Sequence, residues 1–359
     1  MTVCILGNSL TALTLAKTLV NYEIDVDVIF NKKNYKINDT RTIGISKSNV
    51  DYFNTNIINI EKLIWNIKTI EIFSENLKKE KLINFKADEN QLFSIIKNYE
   101  LYQLLSRELL KSKFLRLKFS TEKNLSYLNK YELVINCDPF HSITKRYFSK
   151  KISKNYNSTA YTTIISHDKI INDVAVQIFT KKGPLAFLPI SGKKTSIVYS
   201  VYNLNNNEEE NIKKLIEDKN FKYKIRNLEK INSFELKSFN LRSYYHKNIL
   251  AFGDLLHKVH PLAGQGFNMT IRDIKVLTQI IKKKLDIGLP LDSSVSLEFQ
   301  KKTKHKNLIF SNGIDLINEF FNIERKVRTN FLSKSVKFIG NKTSINRIFT
   351  KIADKGILF

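Results

Sequence analysis

The sequence predicts an α/β chain, α+β overall, in which a parallel βαβ core is interrupted by a mostly antiparallel sheet and closed by C-terminal helices. Three observations carry this. Residues 2–30 run apolar strand, tight turn, helix, strand; residues 156–239 are dense in short β-rich segments; residues 294–359 place apolar residues at helical spacing among Lys and Arg. At 359 residues, with 42% hydrophobic and only 11 Gly and 5 Pro, the chain can bury roughly three quarters of its unfolded surface. Disordered, collagen-like and disulfide-stapled classes are excluded.

The elements follow in order. TVCIL is a continuous apolar run, GNSLT a turn, Leu10 to Val20 has helical spacing, and Val26, Val28 and Phe30 alternate as in a strand. Asn31 to Asp39 reads as a polar loop, and residues 57–86 as short β pieces around Trp65. A single amphipathic helix is expected from Gln91 to Leu110, its stripe formed by Leu92, Ile95, Ile96, Tyr99, Leu104, Leu105 and Leu109. YELVINCD at 131–138 reads as a buried parallel strand. TAYTTIIS, VAVQIF, LAFLPI and TSIVYSVY supply the antiparallel sheet. Asn205 to Glu210 is a polar, acidic loop ahead of a helix. NILAFGD at 248–254 returns to a buried strand, and a Gly-rich loop leads into a helix from Asn268 to Lys284.

Composition narrows the function. The 59 Lys and Arg against 34 Asp and Glu leave a formal charge of +25, a field that attracts anions. The excess is scattered Lys, with no zinc-knuckle spacing, glycine–aromatic RNA signature or arginine-rich tract, so it reads as a solvated surface and no nucleic-acid partner is expected. Cys4 and Cys137 lie far apart inside apolar runs, as buried free thiols of a reducing compartment do. The N-terminus opens directly into a strand, and nowhere do about 18 apolar residues run uninterrupted, which points to a cytoplasmic protein that at most touches a membrane.

Two segments carry chemistry. Gly7-Asn8-Ser9-Leu10-Thr11-Ala12 joins a strand to a helix, as a dinucleotide turn requires, with Gly7 at the first glycine position and the small Ser9 and Ala12 at the other two. Phe30 stands where an acidic residue would hold the adenosine ribose, with Asn31 beside it. The second segment, Phe252 to Asn268, is more specific. Asp254 at a strand tip suits a sugar-alcohol hydroxyl, while Gly264 and Gly266 let backbone N–H groups crowd a flat anionic ligand at the start of a helix.

GDLLHKVHPLAGQGFNMTIRD resembles the second flavin-binding motif of the class A flavoprotein aromatic hydroxylases, and its second His, His260, with the Arg272-Asp273 pair resembles the ubiquinone-biosynthesis (2-polyprenylphenol) hydroxylases. Asp39 to Ser46 is similar to that family's D-x-R-x-x-A-L-S segment, Gly183 to Pro189 to its G-P-x-A-x-L-P strand, and Ile96 to Leu101 to its V-E-N-x-x-L helix start. The similarity spans residues 2–330.

The resemblance implies a Rossmann-like FAD-binding domain from 1–155 and 240–290, a β-sheet substrate domain at 156–239 with part of 57–90, and C-terminal helices at 291–359 packed on the FAD domain. It implies FAD held by Gly7, Ser9, Ala12, Arg41, Asp138, Gly253, Asp254, Pro261, Gly264, Gln265, Gly266, Phe267 and Asn268. NAD(P)H would serve as co-substrate, and a flavin hydroperoxide would transfer oxygen from O2 to the ring of a polyprenylated phenol in ubiquinone biosynthesis. His260 and Pro261 are the catalytic candidates beside the ring. The strand pieces with Phe179, Phe187, Leu188 and Tyr199 are expected to wall the substrate pocket, most of those residues being core. His257 and His260 lack the partners of a zinc site, so no metal is expected.

The resemblance also makes a membrane surface and a quinone-biosynthesis complex candidate partners, with peripheral attachment to an inner membrane face. Apolar residues between Ile314 and Ile352 alternate with Lys and Arg as in a surface-seeking helix; packing is favoured for 314–335. Departures from the pattern are the lost glycines, Phe30, and Asn136 to Ser142, which keeps the Asp and Ser of G-A-D-G-x-x-S without either glycine. They leave two alternatives open: a non-catalytic scaffold subunit, and a hydroxylase of a soluble aromatic acid.

Overall fold

The computed structural model describes residues 2–30, 40–75, 81–86, 91–119, 125–202, 209–261, 264–327 and Asp354. The first half runs β1 (Thr2–Leu6), α1 (Leu10–Asn21), β2 (Asp25–Phe30), β3 (Thr42–Ser46), α2 (Lys47–Asn56), β4 (Ile64–Ile67), β5 (Thr69–Ser74), β6 (Lys81–Lys86), β7 (Phe93–Lys97), α3 (Asn98–Leu109), β8 (Leu115–Phe119), β9 (Val134–Asn136) and α4 (Ser142–Tyr147). The second runs β10 (Lys151–His167), β11 (Val174–Thr180), β12 (Gly183–Pro189), β13 (Lys194–Tyr202), α5 (Glu209–Lys219), β14 (Ile225–Leu228), β15 (Asn232–Leu241), β16 (Tyr245–His246), β17 (Ile249–Ala251), β18 (His257–Lys258), α6 (Gln265–Asp286) and α7 (Ser293–Val327).

Three sheets organise these elements. The first has the order β16-β17-β9-β1-β2-β8, parallel except for the short β16–β17 hairpin. Val3 to Leu6 of its central strand β1 are all buried, so that strand is covered on both faces, as its continuous apolar run requires. Helix α1 buries Thr14 and Thr18 within this core, and their hydroxyls donate back to the carbonyls of Leu10 and Thr14, which removes the cost of burying them unpaired. The second sheet, β18-β15-β10-β13-β12-β11-β5-β6 with β14 beside β10, is antiparallel apart from the β11–β5 pair. The third, β3-β7-β4, is a small antiparallel sheet beside the FAD-type core.

One sequence expectation is overturned here. Residues 93–97 are strand β7, and the helix starts only at Asn98. Ile95 and Ile96 are buried on opposite faces between β3 and β4, a two-sided burial that suits β-branched residues in a strand and that a one-sided helical stripe would not provide. The proposed pocket wall also divides. Leu185, Phe187, Ile197 and Tyr199 share one face of the second sheet and pack under Ile212 and Ile216 of α5. Phe179 and Leu188 lie on the opposite face, where Phe179 stacks on Phe321 of α7 and Leu188 packs near Trp65 and Phe93. Phe187 and Tyr199 are therefore core residues and leave the expected wall.

Helix α7 crosses the same face as Phe179 through polar contacts. Ser311 accepts from Asn240, Asp315 from Tyr156 and Ser238, and Asn318 from Tyr202. Of its apolar side chains, Val295, Phe299 and Ile314 are buried, whereas Leu316, Ile317 and Ile323 are exposed. The described part of 314–335 packs on the second sheet, where packing on the FAD domain was expected; Phe331, Val336 and the stretch to Ile352 lie outside the described residues, as do the Asn31–Asp39 loop and residues 205–208 of the acidic loop. Among the described residues, no helix is long and apolar enough to cross a membrane.

The turn after β17 is pressed onto α1 at Gly253, which has φ +65° and no room for a side chain: a Cβ there would stand 2.5 Å from Thr11 Cγ2. Gly253→Ala is expected to cost about 2–3 kcal/mol through overpacking and the left-handed backbone. Adding Thr11→Ala should recover the steric share and leave about 1–2 kcal/mol. Urea unfolding of both variants checks this, and an unchanged midpoint for Gly253→Ala contradicts the contact.

Candidate cofactor site

β1, β9 and β17 are neighbouring parallel strands, and the segments that leave their carboxyl ends hold the expected site residues. At the β1 end, Gly7 N donates to Ile29 O at 2.8 Å, which ties the β1–α1 turn to β2. Ser9 is the N-cap of α1, with its hydroxyl accepting from Ala12 N at 3.3 Å, and Ala12 is buried where helix and sheet approach. The turn therefore presents the first amides of a twelve-residue helix, which have no intrahelical acceptors. Asp138, at the tip of β9, lies against Gly7, and its Oδ1 accepts from Phe140 N at 2.8 Å. That bond gives it the turn-capping role before Pro139.

At the β17 end, Gly253 is buried and Asp254 is exposed. The chain then pairs with β15 through β18 and reaches Pro261; Leu262 and Ala263 lie outside the described residues. Gly264, at φ +61°, caps α6 and sits so close to β3 that a Cβ would meet Gly44 N at 3.3 Å. Asn268 is 2% exposed and joins these pieces. Its Oδ1 accepts from Ser46 N at 2.9 Å and Asn49 Nδ2 at 2.8 Å, while its Nδ2 donates to Gly44 O at 3.0 Å and Gly264 O at 3.3 Å. All four hydrogen-bonding positions of the amide are used.

The remaining motif residues support this frame. Gln265 accepts from Arg272 at 3.2 Å, and Phe267 packs toward Phe53. His257 and Asp273 form a pair at 2.7 Å with both side chains almost fully buried, and Asn307 of α7 donates to Asp273 at 3.0 Å. The two histidines diverge: His260 is 1% exposed and meets the Tyr156 ring edge-on at 4.9 Å. Burial pulls its imidazole down to about 4, so it is neutral near pH 7. Among the described residues, no group of three or more His, Cys, Asp or Glu could hold a metal. Arg41 is exposed at the start of β3, and Cys4 and Cys137 are buried free thiols.

Sequence reasoning missed Asp354. Its carboxylate accepts from Ser48 N at 2.9 Å, and its carbonyl accepts from the Ser46 and Ser48 hydroxyls at 2.9 and 3.0 Å. An acid at the first turn of α2 complements the helix dipole, and its distance of more than 300 residues from Ser46 hides it from any local pattern.

These residues fit an FAD. Gly7, Gly253 and Gly264 let the backbone pack tightly against Asp138, Thr11 and Gly44, the amino ends of α1 and α6 supply free amides that suit anionic groups, and Asp254 presents an exposed carboxylate that suits hydroxyls. The misfit is at the end of β2, where Phe30 offers no acceptor.

Comparisons with known proteins agree. A family model described as an FAD binding domain matches residues 130–286. Ubiquinone biosynthesis monooxygenase COQ6, mitochondrial, of Danio rerio is 26% identical over 232 residues, covering 53% of this chain and 48% of that protein. The 3-demethoxyubiquinol 3-hydroxylase of Escherichia coli K12 is 28% identical over 151 residues, covering 40% and 39%. The matched segments thus span about half or less of these curated relatives. The p-nitrophenol 4-monooxygenase PnpA from Pseudomonas putida DLL-E4 superposes with a TM-score of 0.79 at 12% identity over 98% of both chains. Klebsiella pneumoniae HpxO, solved with FAD and uric acid, gives 0.73 at 13% identity over 99% of this chain and 96% of that one. The fold is that of the flavin monooxygenases.

Two outcomes are expected. Asn268→Ala strands Ser46 N, Gly44 O and Asn49 together and should cost about 2–4 kcal/mol in urea unfolding; a loss under about 0.5 kcal/mol, the range of surface substitutions, would remove the clamp from the account. Because the unfolded imidazole takes up its proton near 6.5 and the folded one only near 4, His260 should lower stability as pH falls through that window, by up to about 3 kcal/mol. His260→Gln should flatten the decline, and identical pH profiles would count against a neutral buried imidazole.

Proposed function

We propose that the chain is an FAD-binding monooxygenase that hydroxylates an aromatic ring, and that its substrate is a polyprenylated phenol of ubiquinone biosynthesis. The observation that carries the reading is the geometry of residues 253–268. An exposed carboxylate follows a buried strand, and the helix start that comes after it in the motif is clamped to the neighbouring sheet by one buried amide. The substrate class is supported by the curated relatives, which are named for ubiquinone synthesis.

In this reading Asp254 accepts hydrogen bonds from ribityl hydroxyls, and the first amides of α1 with Arg41 meet the pyrophosphate. The α6 N-terminus, behind Gly264 and Gly266, favours negative charge on the ring system. Bound FAD would supply the redox chemistry, accepting electrons from NAD(P)H and activating dioxygen for insertion into an electron-rich ring. The protein contributes orientation and exclusion of water. His260, held neutral and packed on Tyr156, positions the loop before Pro261 and carries no charge near the ring at neutral pH. The sheet face bearing Leu188 and Ser196, joined to β3 by a 2.8 Å contact between Ser196 and Thr42 hydroxyls, lies toward the substrate.

The test is spectroscopic first. Purified protein is expected to show oxidised-flavin absorbance or to acquire it on adding FAD. Asp254→Ala should weaken FAD binding about tenfold or more, as loss of a charged hydrogen bond does, with an unchanged melting curve, because the side chain is exposed. A colourless protein that takes up no FAD refutes the enzyme and favours the scaffold alternative. With flavin bound, NAD(P)H and O2 should convert a polyprenylphenol in detergent to its hydroxylated product; turnover confined to soluble aromatic acids overturns the substrate assignment.

A further inference from the structure

We propose that the aromatic pair Phe30–Phe119 is the seat of the adenine ring, and that this chain grips the adenosine end of the dinucleotide by stacking in place of a carboxylate contact to ribose. The inference rests on the FAD reading above and concerns residues which that reading leaves unused.

Position comes first. Phe30 ends β2 and Phe119 ends β8, and the two are register partners in parallel strands. They stand at the carboxyl edge of the sheet, the edge where ligands of open parallel sheets collect. Gly7 N bonds Ile29 O at 2.8 Å, so the dinucleotide turn is one residue from Phe30. The rings meet edge-to-face, with centroids 5.0 Å apart and planes at 67°. Phe119 is 60% exposed and Phe30 only partly buried, so the pair is not sealed in the core.

Chemistry comes second. The nearest acid on the same strand, Asp27, is unavailable to a ribose. It is 2% exposed and is held by Arg116 at 2.7 Å, by Lys118 and by the Tyr131 hydroxyl, which keep its carboxyl below the usual range against the opposing effect of burial. Among the described residues, the strand end therefore offers aromatic side chains and no free carboxylate. Adenine is a flat ring whose faces stack on aromatic side chains, while a bare ribose hydroxyl gains nothing from Phe. An exposed phenylalanine pair beside a nucleotide turn is accounted for if a ring covers it.

The experiment titrates the apoprotein with FAD and with riboflavin, which lacks adenine, following flavin fluorescence. Phe119→Ala should weaken FAD binding about tenfold or more, in line with the loss of one base–aromatic stack, and leave the riboflavin dissociation constant unchanged. Phe119→Trp should restore FAD affinity, and Phe119→Leu, which keeps an apolar side chain without a ring, should not. Melting curves of the apoproteins verify that the variants fold. Unchanged FAD affinity in Phe119→Ala overturns the proposal, as does an equal loss of FAD and riboflavin, which would make the pair a structural support. A wild-type protein that binds riboflavin and FAD equally refutes the adenine seat while leaving the flavin site intact; one that binds neither refutes the flavin reading itself.

Discussion

The arrangement depends on one buried amide. Asn268 sits at the start of α6 and spends all four of its hydrogen bonds on β3, α2 and its own helix entry. Inside a protein such bonds are strong, and their absence would strand several buried backbone groups at once. Because a side chain at Gly264 would press on Gly44, the amide and the glycine together hold the motif loop at a close spacing from the third sheet. The flavin ring would be positioned by that spacing.

A second shell of polar contacts holds α6 from behind. His257 comes from the motif strand, Asp273 from α6 and Asn307 from α7, so one buried cluster ties together three elements far apart in sequence. Helix α7 repeats this logic against the large sheet, where Ser311, Asp315 and Asn318 face inward beside Phe321, which stacks on Phe179. Hydrogen bonds to β-strand side chains fix its register more narrowly than apolar packing would, since each requires a particular distance and direction.

Much of this was legible in the chain. The βαβ opening, the β-rich middle and the strand–Gly loop–helix at 248–284 appear with nearly the expected bounds, because continuous apolar runs and glycines at turns are local signals. Residues 91–97 were misread because Leu92, Ile95 and Ile96 satisfy a helical stripe as well as a strand; strands β3 and β4 decided between them. That Phe187 and Tyr199 are the core members of the expected wall needed the structure, because period-2 alternation says which residues share a face but not which face packs under α5.

Residue type and spacing alone determined the elements, the glycines and acid of residues 253–268, and the missing carboxylate at Phe30, since these depend on neighbours along the chain. Only the tertiary structure decided that Asn268 is a four-way clamp, that His260 is a buried neutral imidazole, that Phe30 meets Phe119, and that Asp354 caps α2. Each of those depends on a partner brought from a distant segment, and burial and hydrogen bonding across space leave no periodic trace in the sequence.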